Sequence, residues 1–287
     1  MLDRIYPSLS IIIDMSKVKL FIKNLLNPIV NDLHIQLNPK KYRVGSYYCP
    51  VCKNKLRYFN PLPDRTFDFV YQYQFIHPIT CMETINPFGY SCPSCGVTDR
   101  DRLYALYLKE YLSVSTKPIH FLDIAPREAL TKFILSFKNV IYRSADLYNP
   151  EVDDQVDITD MKLYEDNRFD FLICSHVLEH VTEDIKAMRE LHRVLKPGGK
   201  AIMMVPILLT LSQDYEDSSY TSFEDRWKHF GQGDHVRMYS KNGFTEKLSQ
   251  VGFKVDQFDK NHFGADVFAK CGITERSVLY IVTKDEL

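Results

Sequence analysis

The 287-residue chain has no apolar run approaching the ~20 residues that span a bilayer. Its most apolar stretch, Ala201–Leu211, is short and interrupted by Pro206 and Thr210. An excess of either charge is also absent. Thirty-six Lys and Arg face 37 Asp and Glu, a net charge of −1, so no global attraction to nucleic acid or an anionic membrane is expected. The start lacks a secretory layout, because Asp3, Arg4 and Pro7 precede Ile11–Ile13 and Asp14 follows at once. Repeats and low-complexity tracts are missing, and Trp227 is the single tryptophan. What is present is ordinary for a soluble globular chain: 45% hydrophobic, 25% charged and 13% aromatic residues. Disordered, collagen-like and disulfide-dense mini-protein classes are excluded. A cytoplasmic setting is expected. The final Lys284-Asp285-Glu286-Leu287 matches an ER-retention address, which acts only on a protein already inside the secretory pathway, and is read as the end of a strand.

Composition divides the chain into three regions. Residues 1–45 form a leader whose Val18, Phe21, Ile22, Leu25, Leu26, Ile29 and Leu33 recur at helical spacing. A helix docked by its apolar face is expected, and a membrane-surface helix is the alternative. Residues 46–100 are rich in Tyr, Phe and Pro and bracketed by two cysteine pairs. Residues 101–287 alternate β-branched runs with helical patterns. Strands are expected at 119–124, 140–145, 169–174, 200–205, 254–258 and 278–283, with a short one ending near Asp157. Helices are expected near 127–137, 182–195 and 241–250. Such βα alternation predicts a doubly wound α/β fold with a mostly parallel sheet.

The pairs are Cys49-Pro50-Val51-Cys52 and Cys92-Pro93-Ser94-Cys95. A C-P-x-C turn aims two thiolates at one point, and two such turns supply the four soft ligands of a closed, structural zinc site. Two disulfides, or four unliganded thiols, are the alternatives. A hairpin insertion over Phe67–Phe75, alternating Phe67, Phe69, Tyr71 and Tyr73, is expected to absorb the long spacing between the pairs. Cys81 stands outside the pattern and is expected to be buried.

The strongest signal is Phe169-Asp170 running into Ser175-His176-Val177-Leu178-Glu179-His180, then Arg193-Val194-Leu195-Lys196-Pro197-Gly198-Gly199. These residues resemble class I S-adenosylmethionine-dependent methyltransferases of the LEH/LKPGG type, over residues 119–283. The resemblance implies a seven-stranded sheet and a methyl donor held at its strand ends. Asp123, Ala125 and Arg127 fall in the first motif. Asp146 and Leu147 close the second strand, and Asp146 takes the ribose hydroxyls. Asp157 and Ile158 take the adenine, and Ser175 and His176 end the fourth strand. The family's first loop is glycine-rich two, four and six residues past the acid. Here Ala125, Arg127 and Ala129 stand there, so the loop sits farther out, with Arg127 set to pair the methionyl carboxylate, or donor binding is weakened. The aromatic, polar segment 206–239 reads as a substrate lid. His235, Arg237 and Tyr239 alternate within it, so all three can face one way. His180 and His235 are the candidate bases for a hydroxyl acceptor. The expected activity is methyl transfer to a small or carbohydrate-like acceptor, at oxygen. An RNA-modifying enzyme whose zinc module grips nucleic acid, or a non-catalytic scaffold, are the rival readings.

Overall fold

The structure, a computed structural model, describes residues 46–285. The leader helix and the last two residues of the Lys-Asp-Glu-Leu tail lie outside the described residues. The described residues from Tyr47 onward cluster as one compact unit.

Two short strands come first, β1 (Tyr47–Tyr48) and β2 (Lys55–Leu56), paired antiparallel around the first cysteine turn. The large sheet holds β3 (Ile119–Ile124), β4 (Val140–Asp146), β5 (Asp154–Gln155), β6 (Phe169–Ser175), β7 (Leu195–Met204), β10 (Phe253–Phe258) and β11 (Leu279–Lys284). Its order is β10-β11-β7-β6-β3-β4-β5, parallel except for β11. Between β7 and β10, the strands β8 (Tyr215–Glu216) and β9 (Arg237–Met238) form a separate ribbon. Residues 121–124 of β3 and 171–174 of β6 are buried at every position, as expected for parallel strands covered on both faces. From β3 the chain winds outward through β4 and β5, then crosses back to β6 on β3's other side. That reversal opens a crevice beyond the carboxyl ends of β3 and β6, the ligand position of open α/β sheets.

The expected strands are all present within a residue or two, except that β7 begins at Leu195 instead of Lys200. The Asp184–Val194 helix ends before Pro197, and Lys196-Pro197-Gly198-Gly199 form a bulge in which Leu195 faces Phe169 and Lys200 faces Phe171. Gly198 has φ +73°, and a Cβ on Gly199 would meet the Lys196 carbonyl oxygen at 2.7 Å, so both glycines serve this bend.

The hairpin expected over Phe67–Phe75 is instead a helix, Asp64–Gln72. No partner strand is available to it, and spacing of two also yields pairs four apart. Phe69 and Tyr73 therefore share one side and pack on Trp227 of the 206–239 segment, with ring centroids 5.3 and 5.4 Å away. Cys81 is half-buried instead of buried, against a small cluster of Leu208, Phe230 and Met238. A sixteen-residue helix, Asp99–Val114, went unpredicted. Its start carries a readable signal, the capping box Thr98-x-x-Asp101: Thr98 N and Oγ1 both donate to Asp101 Oδ2, at 2.8 and 2.9 Å. This helix lays Tyr111 on Phe171 of β6, centroids 4.8 Å apart.

Candidate functional site

Three groups of residues carry chemistry-bearing side chains. The first is a hollow at the ends of β3 and β6, lined by Asp123, Ala125, Arg127, Ser175, Asp101 and Tyr104 among others. Its atom-free space, open mouth included, is ≈ 250 Å³. That is below the roughly 300–1,000 Å³ of a typical ligand pocket, so the hollow is too small to enclose a whole drug-sized ligand. Ala125 holds φ +53° and His176 φ +57°. A left-handed alanine is strained by about 1 kcal/mol, so the loop keeps a glycine-like turn without a glycine. Arg127 is half-exposed and reaches Asp101 at 3.2 Å. Tyr104 Oη and Ser175 Oγ lie 2.8 Å apart. The polar lining, a guanidinium beside carboxylates and hydroxyls, suits the zwitterionic end of an amino acid. Asp101 and Tyr104 escaped the sequence analysis because their helix did.

Asp123 is 2% exposed and accepts from Tyr142 Oη at 2.8 Å. Burial pushes its carboxyl up to about 7. Since the folded value lies above the unfolded one, near 4, the associated stability is complete below pH 4 and lost as pH rises through about 7. Asp123→Asn retains an acceptor for Tyr142 and removes this loss. Its stability gain over the parent should grow from pH 5 to pH 8, reaching up to about 4 kcal/mol in urea unfolding. A gain independent of pH would show the carboxylate to be ionised throughout.

Asp146, Leu147, Asp157 and Ile158 stand on the neighbouring strand ends and do not line the hollow. Ala125 N donates to Ala145 O at 2.8 Å, which sets Asp146 next to the first loop. Asp146 Oδ1 accepts from Tyr148 N and Asn149 N, at 2.7 and 2.8 Å, and Leu147 is exposed. Asp157 is exposed and caps its own turn through Thr159 N, whereas Ile158 turns into the core.

The second group follows β6. Leu178-Glu179-His180 form a single 3-10 turn. Glu179 is 1% exposed and His235 2%, while His180 is half-buried. The His180 and His235 rings meet edge to face at 4.6 Å, and His176 Nδ1 lies 3.2 Å from Glu179 Oε1. Burial pushes Glu179 up to about 8, His235 down to about 4, and His176 well below its ordinary value. His235, Arg237 and Tyr239 do face one way, toward this turn. Arg237 donates to the carbonyls of Leu178, Val181 and Thr182 and to Glu216, and Tyr239 Oη donates to Asp184 at 2.7 Å. These two residues hold the turn in place instead of lining an open cleft. Glu179 was visible in the sequence beside His176 and His180, beyond a strand end that a cofactor or acceptor can reach, but carried no assigned role. The half-buried Arg100, whose Nε has no hydrogen-bond partner and whose charge acts on Glu179 and His176, was not singled out.

The third group is the cysteine cluster. The Sγ atoms of Cys49, Cys52, Cys92 and Cys95 all lie within 4.8 Å of one another, with Cys49–Cys95 and Cys52–Cys92 at 3.8 Å. All seven cysteines are free, so the disulfide alternative does not hold. Four sulfurs 2.3 Å from a central zinc would sit about 3.8 Å apart, which the cluster matches. Burial pushes Cys95 up to about 12. At Cys92 burial acts the same way, but the N–H groups of Ser94 and Cys95 outweigh it and hold the thiol below its ordinary value.

The sheet, its order and the site at its carboxyl rim define the Rossmann-like fold of class I methyltransferases. Residues 136–203, from the approach to β4 to the end of β7, match the family model of a methyltransferase domain. Over 60 residues the chain is 42% identical to the ubiquinone/menaquinone biosynthesis C-methyltransferases of Citrobacter koseri and Escherichia fergusonii, 20% of this chain and 24% of each relative. The chain thus spans about a quarter of the length of the curated relatives it matches. Among solved structures it is similar to the Burkholderia thailandensis 1,6-didemethyltoxoflavin-N1-methyltransferase with bound 1,6-didemethyltoxoflavin and S-adenosylhomocysteine. That likeness has 14% identity and a TM-score of 0.44, over 65% of this chain and 78% of that one. The [4+2]-cyclase SpnF aligns at 16% identity and TM-score 0.43, over 80% and 100%. No helix among the described residues is long and apolar enough to cross a membrane.

Proposed function

We propose that this chain is an S-adenosylmethionine-dependent methyltransferase acting on a small or carbohydrate-like acceptor, at oxygen, in the reducing cytoplasm. The observation that carries this reading is the polar hollow beyond β3 and β6, bounded by the left-handed Ala125, on a chain whose residues 136–203 match a methyltransferase domain. The donor's methionyl end would be held by Arg127, Ser175 and the Asp123 side of the hollow. Asp146 would take the ribose, and Asp157 with the Ile158 backbone the adenine. The donor supplies an electrophilic methyl group on a sulfonium. This chain's residues then have two tasks, to align the acceptor and to deal with its proton. Alignment provides most of the acceleration in such a displacement. A hydroxyl proton needs an acceptor, or a charge that lets it leave, and Glu179, His180 and His235 stand at the β6 rim to meet that need. The four cysteines would hold a structural zinc ion, since a closed set of sulfurs leaves no open position for chemistry.

Calorimetric titration with S-adenosylmethionine should show binding that weakens about tenfold or more in both Asp146→Ala and Asp146→Asn. Asparagine keeps the turn to Tyr148, so a loss shared by both variants reports recognition and not folding. Transfer of a labelled methyl group into a cell extract should place label in the small-molecule or glycan fraction. Label in RNA would favour the nucleic-acid reading, and no binding at millimolar donor would leave only the scaffold.

A further inference from the structure

Glu179, His180 and His235 were considered above for proton transfer, but their local arrangement suits a different task. Each offers one ligand atom, and the three atoms lie within 4.8 Å of one another. Both carboxylate oxygens of Glu179 and Nε2 of His235 are buried without a hydrogen-bond partner. Buried polar atoms are almost always partnered, and Glu179 Oε1 has only His176 Nδ1 nearby, at 3.2 Å and outside hydrogen-bond geometry, so unpartnered atoms on two residues of one such cluster mark a missing ligand. The histidines are also oriented from behind. His235 Nδ1 lies 3.1 Å from the Phe230 carbonyl, which fixes it as the protonated nitrogen and leaves the Nε2 lone pair free. His180 Nδ1 lies 3.2 Å from Asp234 Oδ2. A ring nitrogen bonded to a carbonyl or carboxylate, with the other left free, is the arrangement that metal-binding histidines use.

We infer that Glu179, His180 and His235 form a second metal site, distinct from the cysteine cluster, for a divalent first-row transition ion. Two imidazoles and one carboxylate are borderline donors, suited to zinc, cobalt or iron(II) and poorly suited to Mg2+ or Ca2+. Ligands about 2.1 Å from a shared ion stand about 3–4 Å apart, so small rotations of three side chains close the set. Three protein ligands leave positions open for a donor atom of another molecule. If the methyltransferase reading holds, that molecule is the acceptor, whose oxygen the ion would bind and render acidic. The metal site itself does not depend on that reading.

The test is Co2+ uptake by the full chain with its cysteine site already loaded, in the absence of S-adenosylmethionine. One further equivalent should bind with weak visible absorption and without sulfur-to-metal charge-transfer bands. Its affinity should fall about tenfold or more in His180→Asn and in Glu179→Gln, while Mg2+ is not taken up. His180 is half-buried, so its variant keeps the fold and decides the matter if Glu179→Gln does not fold. No uptake beyond the cysteine site, or uptake unchanged in folded His180→Asn, overturns the inference. The first of those results would leave Glu179 as a neutral acid hydrogen-bonded to His176. Because no methyl donor is present, failure of the donor-binding experiment and failure of this one are separate outcomes.

Discussion

Removal of the zinc ion proposed for the four-cysteine cluster, by a strong chelator or by Cys92→Ser, should collapse residues 46–98 and lower the thermal midpoint by roughly 10 °C or more. Local structure there is slight. Strands β1 and β2 are two residues each, and the Asp64–Gln72 helix buries none of its side chains fully. The ordered apolar groups of the cluster, Cys49, Val51, Leu56, Phe59, Leu62, Cys92 and Val97, are few for a segment of this length. Ion binding to four thiolates contributes apparent free energies of about 10–16 kcal/mol in small structural sites, and none of it exists in the unfolded chain. Without the ion, four sulfurs are packed together with little to hold them except the turns themselves. The loss should also reach the hollow, because its Asp101 and Tyr104 follow directly on the second cysteine turn. Elemental analysis and melting curves with and without chelator check this. A metal-free chain that melts at the same temperature would mean the cysteines are packing residues.

Arg102→Ala should cost about 3–5 kcal/mol, the scale for removing one partner from a buried charged network. Arg102 is 0% exposed and donates to five carbonyls: Cys271 at 2.6 Å, Gly89 at 2.5 Å, Gly272 at 3.1 Å, and Tyr90 and Val97 at 3.2 Å. Its guanidinium also lies 3.8 Å over the Phe59 ring. One side chain thus ties residues 89–97 of the cysteine module to residues 271–272, just before β11. Alanine would leave the carbonyls of Gly89, Tyr90 and Cys271 without a donor, while Val97 O keeps Cys92 N and Gly272 O keeps Asn86 Nδ2, and the gap would open where Gly272 already sits so close to Phe59 that a Cβ would meet the ring at 2.4 Å. Lysine should rescue little, because an ammonium cannot serve carbonyls spread across the arginine fork. Urea unfolding measures the loss. A cost below about 1 kcal/mol for alanine would show that the carbonyls find other partners.

The elements legible in the sequence were those that depend on local pattern. Six strands stood out as short apolar or β-branched runs, the antiparallel β11 among them, and the capping box at Thr98 was equally readable although it went unused. The 64–72 segment was misjudged for a physical reason, since its aromatic spacing satisfies a strand and one side of a helix alike. Only the position of Trp227, more than 150 residues on, selects the helix. At the site, Asp123, Ala125, Arg127 and Ser175 were found by position at strand ends. Asp101 and Tyr104 were not, because their helix enters the site from a neighbouring element, whereas Glu179, in the turn directly after β6, was visible but carried no role.

By itself the sequence determined the α/β class, the cysteine cluster and which strand ends carry polar side chains, since these follow from residue type, spacing and periodicity. Tertiary structure decided that Asp146 and Asp157 stand outside the hollow that Asp123 lines, that Arg237 and Tyr239 brace a turn instead of meeting substrate, and that His235 stands beside Glu179 and His180. Those outcomes depend on which segments distant in the chain share one desolvated space. There, an unpartnered charge or lone pair acquires its meaning from neighbours that no local pattern names.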